Sequence, residues 1–375
     1  ARALLVARAL AWPVASLLRA IRLVRRFGRA VARRHGIGLA RQLWQQVACA
    51  NFLNVGPDSY YKYQLYLVEN RRRALEFVQH FENSRIGQER VRLKGGFDLD
   101  HKVGFHDRCL TLGLATVPLL ASFEGGRLDR WGGAADGALP RRDLVLKPCN
   151  LDSGEGVECW RYDQGRRAWR RDGVERDDLL EHARSSSVAR PCLLQPRLEN
   201  HADLAPLSAG GLCTVRVVTC FDAGGRPRLV QAILNFPTGQ SDINNFGSGG
   251  LAAAVDPATG ALGPALGDDA GAAPLETHPT TGAPVTGRPV PLWRPIVELC
   301  LAAHAHFPEY HSIGWDVAPT PAGPLLLEAN TIWDVDLVQM VTGQPLAAVL
   351  RADGVVERHL AAAGRSVAAS SSASS

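Results

Sequence analysis

The stretch from His311 to Trp333, HSIGWDVAPTPAGPLLLEANTIW, constrains the chain more than any other. Two apolar runs flank a turn built on Pro321, Gly323 and Pro324. That pattern predicts a hairpin of two buried strands, and buried strands demand a sheet whose faces are covered. In a strand, residues i and i+2 share a face. Glu328 and Asn330 therefore point one way, and Leu325 and Leu327 point the other way, into a core. On the preceding strand, Asp316 has only the small Gly314 and Ala318 beside it on its face. Oxygens from Asp316, Glu328 and Asn330 then converge on one patch. Hard oxygen donors without His or Cys suit Mg2+ or Mn2+, and Mg2+ is commonly held by one or two carboxylates plus substrate phosphates. The competing reading is a hairpin end carrying ordinary polar residues.

Other segments fill in an α+β chain. Residues 58–90 are expected to be helical and charged, with their tyrosines forming a packing stripe. A helix is expected over about 101–112, stopped by Gly113 and followed by a short strand. Residues 143–150 read as a strand ending at Lys147-Pro148. A tight glycine turn at 153–156 enters the next strand. A helix is expected near 176–184 and a strand at 191–198. Residues 212–236 form a hairpin joined at Ala223-Gly224-Gly225. Residues 256–290 read mostly as loop, 294–307 as a helix, and the Ser-rich tail 366–375 as disordered. Three units result: a basic amphipathic helical region 1–57, a main domain 58–365, and the tail.

Residues 1–57 hold ten arginines and no Asp, Glu or Lys. The chain carries +5 overall, so the remainder carries −5. Leu10, Val14, Leu17, Ile21 and Val24 step along one helical face, and Arg19, Arg22, Arg26, Arg29 and Arg33 along another. Such a helix either docks on its own domain or makes peripheral contact with an anionic membrane through residues 1–35. A spanning helix is excluded, because Arg8, Arg19 and Arg22 interrupt the apolar run. No nucleic-acid partner is expected, since no aromatic platform accompanies the charge. The eight cysteines form no CxxC pair, so they read as reduced core thiols of a cytoplasmic protein, one that sits at the inner membrane face if the arm binds lipid.

Lys147 ends a strand and is followed by Ser153-Gly154-Glu155-Gly156, a loop suited to polyphosphate. No GKS or GKT follows, so it is not a Walker loop. In order along the chain come Lys102 opening a helix, Lys147-Pro before the glycine loop, the strand LLQPRL, and the hairpin ending in Glu-x-Asn. This order resembles the ATP-grasp superfamily. More narrowly, YYKYQLY, NHADLAPL, TVRVVT, HPTTG and IGWDVA…GPLLLEAN…WD resemble the sugar-transfer associated ATP-grasp family, from about residue 58 to 350.

The resemblance implies two α/β subdomains clasping ATP, beside a helical N-terminal region where many ATP-grasp ligases have a Rossmann-like domain. It implies that Lys102 and Lys147 clamp the α- and β-phosphates. Ser153, Gly154 and Gly156 belong to the loop closing over them, where Glu155 replaces the usual small residue and must face away from phosphate. Gln195, Pro196 and Leu198 match the hinge that reads adenine. His201 or Asp203 is left to accept from ribose, with a cap or turn role as the alternative for both. Lys147 and Arg216 are the implied catalytic residues, Arg216 reaching the γ-phosphate. Asp316, Glu328 and Asn330 match the Mg2+ ligands. Asn245, His278 and Thr280 are candidates for an acceptor site or ordinary loop chemistry.

The implied activity is a Mg-ATP-dependent ligase that joins a carboxylate, through an acyl phosphate, to an amine or sugar-linked acceptor. Polysaccharide or sugar-conjugate biosynthesis is the implied setting. A phosphotransferase and a nucleotide-binding scaffold of a membrane sugar-polymer complex remain as alternatives.

Overall fold

The computed structural model describes residues 2–53, 55–80, 82, 98–151, 154–208, 210–222, 224–239, 246–269 and 271–350. Ser153, Asn245 and the tail 366–375 lie outside these.

Helix α1 (Arg2–Leu23) runs through Pro13, continues as a π-helical turn at Val24–Gly28, and passes into α2 (Arg29–His35). Helix α3 (Leu39–Phe52) packs back against α1. The face of α1 turned inward is not the expected stripe. Ser16, Ala20, Leu23 and Val24 are buried, whereas Val14 and Leu17 are exposed and Ile21 is half-buried. Small residues at 16 and 20 let α3 approach closely, and Trp12 Nε1 donates to the Ala50 carbonyl at 3.0 Å. Close packing against a neighbour thus outweighs the Leu/Val stripe in setting the helix rotation.

The helical segment expected over 58–90 is, where described, α4 (Pro57–Lys62), α5 (Val68–Arg72) and a 3-10 turn at Ala74–Glu76, while residues 81 and 83–90 lie outside the described residues. Tyr60, Tyr61, Tyr63, Leu65 and Tyr66 are all buried. No one face of a helix can hold all five positions. The chain therefore breaks, with Gln64 at φ 51°, and coils round its own aromatic cluster. The tyrosines do form a packing unit, as expected.

Helix α6 (Lys102–Thr111) ends before Gly113, whose φ of 67° is the left-handed stop the sequence marks. The strand expected next is delayed. Thr116 makes only an isolated bridge to Leu326, and Pro118 has no N–H for a ladder. Strands β1 (Ala121–Glu124), β2 (Arg127–Trp131), β3 (Leu144–Pro148), β4 (Glu158–Asp163), β5 (Ala168–Arg171) and β6 (Val174–Arg176) follow, then helix α7 (Leu179–Ser186) and β7 (Cys192–Pro196). They form one antiparallel sheet in the order β2-β1-β7-β3-β4-β5-β6. Leu179 and Ala183 of α7 cover it, joining Phe123, Leu144, Trp160 and Leu194 in a core.

Strands β8 (Thr214–Phe221), β9 (Pro227–Phe236), β10 (Leu251–Val255) and β11 (Leu262–Leu266), helix α8 (Trp293–Ala305), strands β12 (Ser312–Thr320) and β13 (Gly323–Asn330), and helix α9 (Val335–Thr342) complete the fold. The second sheet is also antiparallel, ordered β11-β10-β9-β8-β12-β13. Strand β11 lies inside the segment expected to be loop. Helix α8 packs Ile296, Cys300 and Ala303 on one face, against Val215, Val217 and Trp315. Helix α9 packs Val335, Val338 and Val341 on the other, with Val218, Ile233 and Trp333. With both faces covered, every residue of β12 is buried.

The β12–β13 hairpin forms where expected, but its register slips between Asp316 and Val317. Asp316 pairs with Glu328 and Val317 with Leu326, which leaves Leu327 as the extra residue of a bulge. The bulge breaks alternation. Leu326 and Ala329 enter the core, while Leu325 and Leu327 stay half-buried, contrary to the simple period-two reading.

The helical layer is tied to the main body by polar contacts. The Gln339 carboxamide accepts from the backbone N–H groups of Val78 and Leu346, both at 3.0 Å, and donates to the Val78 carbonyl at 2.7 Å. Lys62 Nζ reaches Asp336 Oδ2 at 2.7 Å, and the Tyr63 hydroxyl donates to the same carboxylate.

Candidate active site

Asp316 sits on a central strand between Arg216 of β8 and Glu328 of β13 as cross-strand partners. Arg216 Nη2 donates to Asp316 Oδ2 at 2.8 Å and Nε donates to the other oxygen, a two-pronged pair. Gly314 makes room for it. A Cβ there would lie 2.6 Å from Trp333 Cβ and 3.3 Å from Arg216 Cδ, so only glycine admits both side chains. Asn330 Nδ2 donates to the Gly314 carbonyl at 3.2 Å and lies 3.4 Å from Asp316 Oδ2.

Lys102 enters from the first turn of α6. Its Nζ donates to the Leu151 carbonyl at 2.6 Å and lies 3.7 Å from Glu328 Oε2. The His101 ring caps that helix by accepting from the Gly104 N–H, which fixes the position of Lys102. Asp100, just before it, accepts from both the backbone and the hydroxyl of Thr331, next to Asn330. Lys147 comes from the other sheet, at the end of β3. Its charge acts on Glu328, and the charges of Glu328 and Lys102 act on it.

Burial is the largest single influence on the electrostatics of the site. Burial pushes Glu328 above the usual carboxylate range, the negative charge of Asp316 adds to this, and the two lysines only partly oppose it. Burial also pushes Asp316 upward, but the charge and hydrogen bonds of Arg216 outweigh it and hold the group low. Burial pulls Lys147 down, more than Glu328 can restore. Two carboxylates and an amide held together, one of the acids disfavoured as an anion, form a donor set that Mg2+ fits. Among the described residues no cluster of three or more His, Cys, Asp or Glu offers a metal site.

Glycines 154 and 156 adopt φ of 74° and 72°. A Cβ on Gly156 would lie 2.9 Å from Pro148 Cγ, so the loop folds tightly over the end of β3. Glu155 is exposed and lies 3.6 Å from Arg190.

Other expected residues lie elsewhere. Gln195 is buried in β7 opposite Val145, and Pro196 is opposite Leu144. Leu198 follows that strand. The His201 ring accepts from the Asp203 N–H and caps a 3-10 turn, and the His201 backbone N–H donates to the Pro319 carbonyl. Asp203 is exposed. His201 thus caps a turn. His278 is buried, accepts from the Thr280 and Thr281 N–H groups and contacts the Pro237 carbonyl at 2.8 Å, which is loop chemistry. The Thr280 hydroxyl donates to the Thr238 carbonyl.

A cavity of about 770 Å³ opens on the carboxylates. Arg216, Asp316, Glu328 and Asn330 line it, together with Gly154, Thr214, Asn235 and the start of α9. Gln195, Pro196, Leu198, His201 and Asp203 do not. Sequence reasoning missed another part of its lining. Arg19, Arg22 and Arg26 reach it from α1 and the π turn, and Asp58 and Lys62 from α4.

Residues 97–353 match the family model described as sugar-transfer associated ATP-grasp. The chain belongs to this family. The two antiparallel sheets and their helices are thus an ATP-grasp fold, with ATP as the implied nucleotide. Solved structures similar to this ATP-grasp chain include D-cycloserine synthetase DcsG, at 14% identity and TM-score 0.39, covering 72% of this chain and 71% of that one. A biotin carboxylase from Campylobacter jejuni is 12% identical, TM-score 0.38, over 71% of this chain and 46% of that one. A D-alanine–D-alanine ligase from Coxiella burnetii is 11% identical, TM-score 0.38, over 72% and 59%. No match is found among curated proteins.

Proposed function

We propose that the protein is a Mg-ATP-dependent ligase that couples a carboxylate to an amine or similar nucleophile, in sugar-polymer or sugar-conjugate biosynthesis. The observation that carries this reading is the meeting of Lys102 and Lys147, from separate parts of the fold, at Glu328 beside the Arg216–Asp316 pair.

Lys102 and Lys147 hold the α- and β-phosphates, and the loop carrying Ser153, Gly154 and Gly156 closes over them. The backbone of Gln195, Pro196 and Leu198 faces adenine, with His201 or Asp203 at the ribose. Asp316, Glu328 and Asn330 hold Mg2+, which supplies charge neutralisation at the phosphates. Arg216 steadies Asp316 in the free protein and offers its guanidinium to the γ-phosphate in the complex. The substrate carboxylate oxygen attacks the γ-phosphorus and ADP departs. The acceptor nitrogen then attacks the acyl carbon, inorganic phosphate leaves, and the nitrogen loses its proton. The chain contributes positioning and charge, not a covalent nucleophile.

Calorimetric titration of ATP, with and without Mg2+, tests this on the wild type, Lys147→Ala and Glu328→Gln. Binding that needs Mg2+ and weakens in both variants supports the site. Binding indifferent to both changes overturns it. An amide plus free phosphate as products, rather than a stable phosphorylated compound, separates ligase from phosphotransferase.

Membrane contact by the helical layer is supported by a second observation. Trp12, Val14, Leu17 and Leu18 of α1 and Trp44 and Phe52 of α3 are exposed, more large apolar side chains than two packed helices need to leave in water. No helix among the described residues is long and apolar enough to cross a membrane. Co-sedimentation with anionic vesicles, lost in Val14→Glu/Leu18→Glu, is the expected result. Sedimentation equal in both proteins refutes it.

A further inference from the structure

The cavity has two electrical characters. Where β12, β13 and α9 line it, it presents Asp316, Glu328, Asp334 and Asp336. Where α1 lines it, it presents Arg19, Arg22 and Arg26. These arginines are spaced by three and four, so they lie along one helical face. Arg19 is held by Asp58 through two nitrogens, at 3.0 and 2.7 Å. Arg22 and Arg26 form no ion pair among the described residues, and the Arg26 guanidinium rests 4.7 Å from the Phe27 ring centre. Two exposed guanidiniums supported on a packed helix, facing a cavity, make a preorganised anion site. Lys102 and Lys147 are not in the cavity lining, though Lys102 Nζ lies 3.7 Å from Glu328, which is.

We propose that Arg22 and Arg26 bind a phosphate monoester on the acceptor, so that the acceptor is an amine carrying a phosphate. This rests on reading the cavity as the ligase site. The polarity of the lining then orients the substrate: the dianionic phosphate lies against the arginines and the amine points to the acidic side, where the acyl group is formed. Two guanidinium forks match two charges and three oxygens, which a neutral sugar lacks. Arg19, one turn before Arg22 and neutralised by Asp58, adds no free charge.

The test uses the full chain and two probes, glucosamine 6-phosphate and glucosamine, titrated calorimetrically with and without saturating Mg-ADP. The phosphorylated probe is expected to bind about ten-fold or more tightly, the effect of one to two charge-assisted contacts at a partly exposed site. Arg22→Glu/Arg26→Glu removes this preference and leaves Mg-ATP affinity in place. Arg29→Glu/Arg33→Glu, on the same helical segment but outside the cavity lining, keeps the preference. Binding of neither probe, no preference in the wild type, or a preference surviving in Arg22→Glu/Arg26→Glu overturns the proposal. So does a parallel loss of Mg-ATP affinity in that variant, which assigns the arginines to the nucleotide. If the wild type fails to bind Mg-ATP yet shows the arginine-dependent preference, the ligase reading falls and the phosphate site stands. Competition from vesicles containing phosphatidic acid assigns the phosphate to a lipid-linked acceptor, and its absence to a soluble ester.

Discussion

Replacing Gln339 with alanine tests how the helical layer is fastened to the catalytic body. The side chain is fully buried and accepts from the N–H groups of Val78 and Leu346. Both donors lose their partner in Gln339→Ala. The Val78 carbonyl loses its Gln339 donor as well, because the single proton of the Tyr63 hydroxyl, 3.0 Å away, goes to Asp336. Each buried N–H left unsatisfied costs ~1–3 kcal/mol, so two predict a loss of about 3 kcal/mol after local relaxation. Gln344→Ala, an exposed position five residues on, is expected to stay within ~0.5 kcal/mol. Urea unfolding followed by tryptophan fluorescence gives the loss, and hydrogen exchange locates it. The Val78 and Leu346 amides are expected to exchange faster in Gln339→Ala while those of β12 do not change. A loss under about 1 kcal/mol with protection intact at Val78 would refute the reasoning.

Gly314→Ala forces a methyl against Trp333 and Arg216, and is expected to cost ~1–3 kcal/mol by overpacking, read as a lower melting temperature. Glu328 is disfavoured as an anion in the folded chain, so its folded value lies above its unfolded one. Folding therefore pays for that charge at neutral pH and not below the ordinary glutamate range. Glu328→Gln should raise the urea midpoint of the ligand-free protein at pH 7, and the gain should shrink as pH falls toward 4.5. An equal gain at all pH values contradicts it. Burial pushes the Cys192 thiol up to about 12 and the Cys149 thiol up to about 11. Few thiolates form at pH 8, so iodoacetamide should label half-buried Cys159 well before either, and mass spectrometry of the native protein shows the order.

The β12–β13 hairpin was legible because its turn residues and apolar runs agree with the tertiary result. The bulge at Leu327 was not, since three consecutive leucines carry no mark of which one is skipped. Asp316 and Glu328 were readable as an oxygen pair. The role of Arg216 in pinning Asp316 depends on cross-strand register, which one strand's sequence does not contain. Strands β10 and β11, LAAAV and LGPAL, lack the β-branched density that announces a strand, and pairing of β10 with β9 and of β11 with β10 makes them strands regardless. The α1 arginines were visible as a stripe. Periodicity tells which residues share a face, never what that face will confront.

The cavity lining crosses a boundary that the family match draws. Asp316, Glu328, Asn330 and Arg216 fall within residues 97–353, and Arg19, Arg22, Arg26, Asp58 and Lys62 fall before it. On the proposed reading, reaction chemistry and acceptor choice are carried on separable lengths of chain. A lineage could then exchange the leading helices for others and redirect the same site to a different acceptor, with no change to the residues proposed to handle the nucleotide.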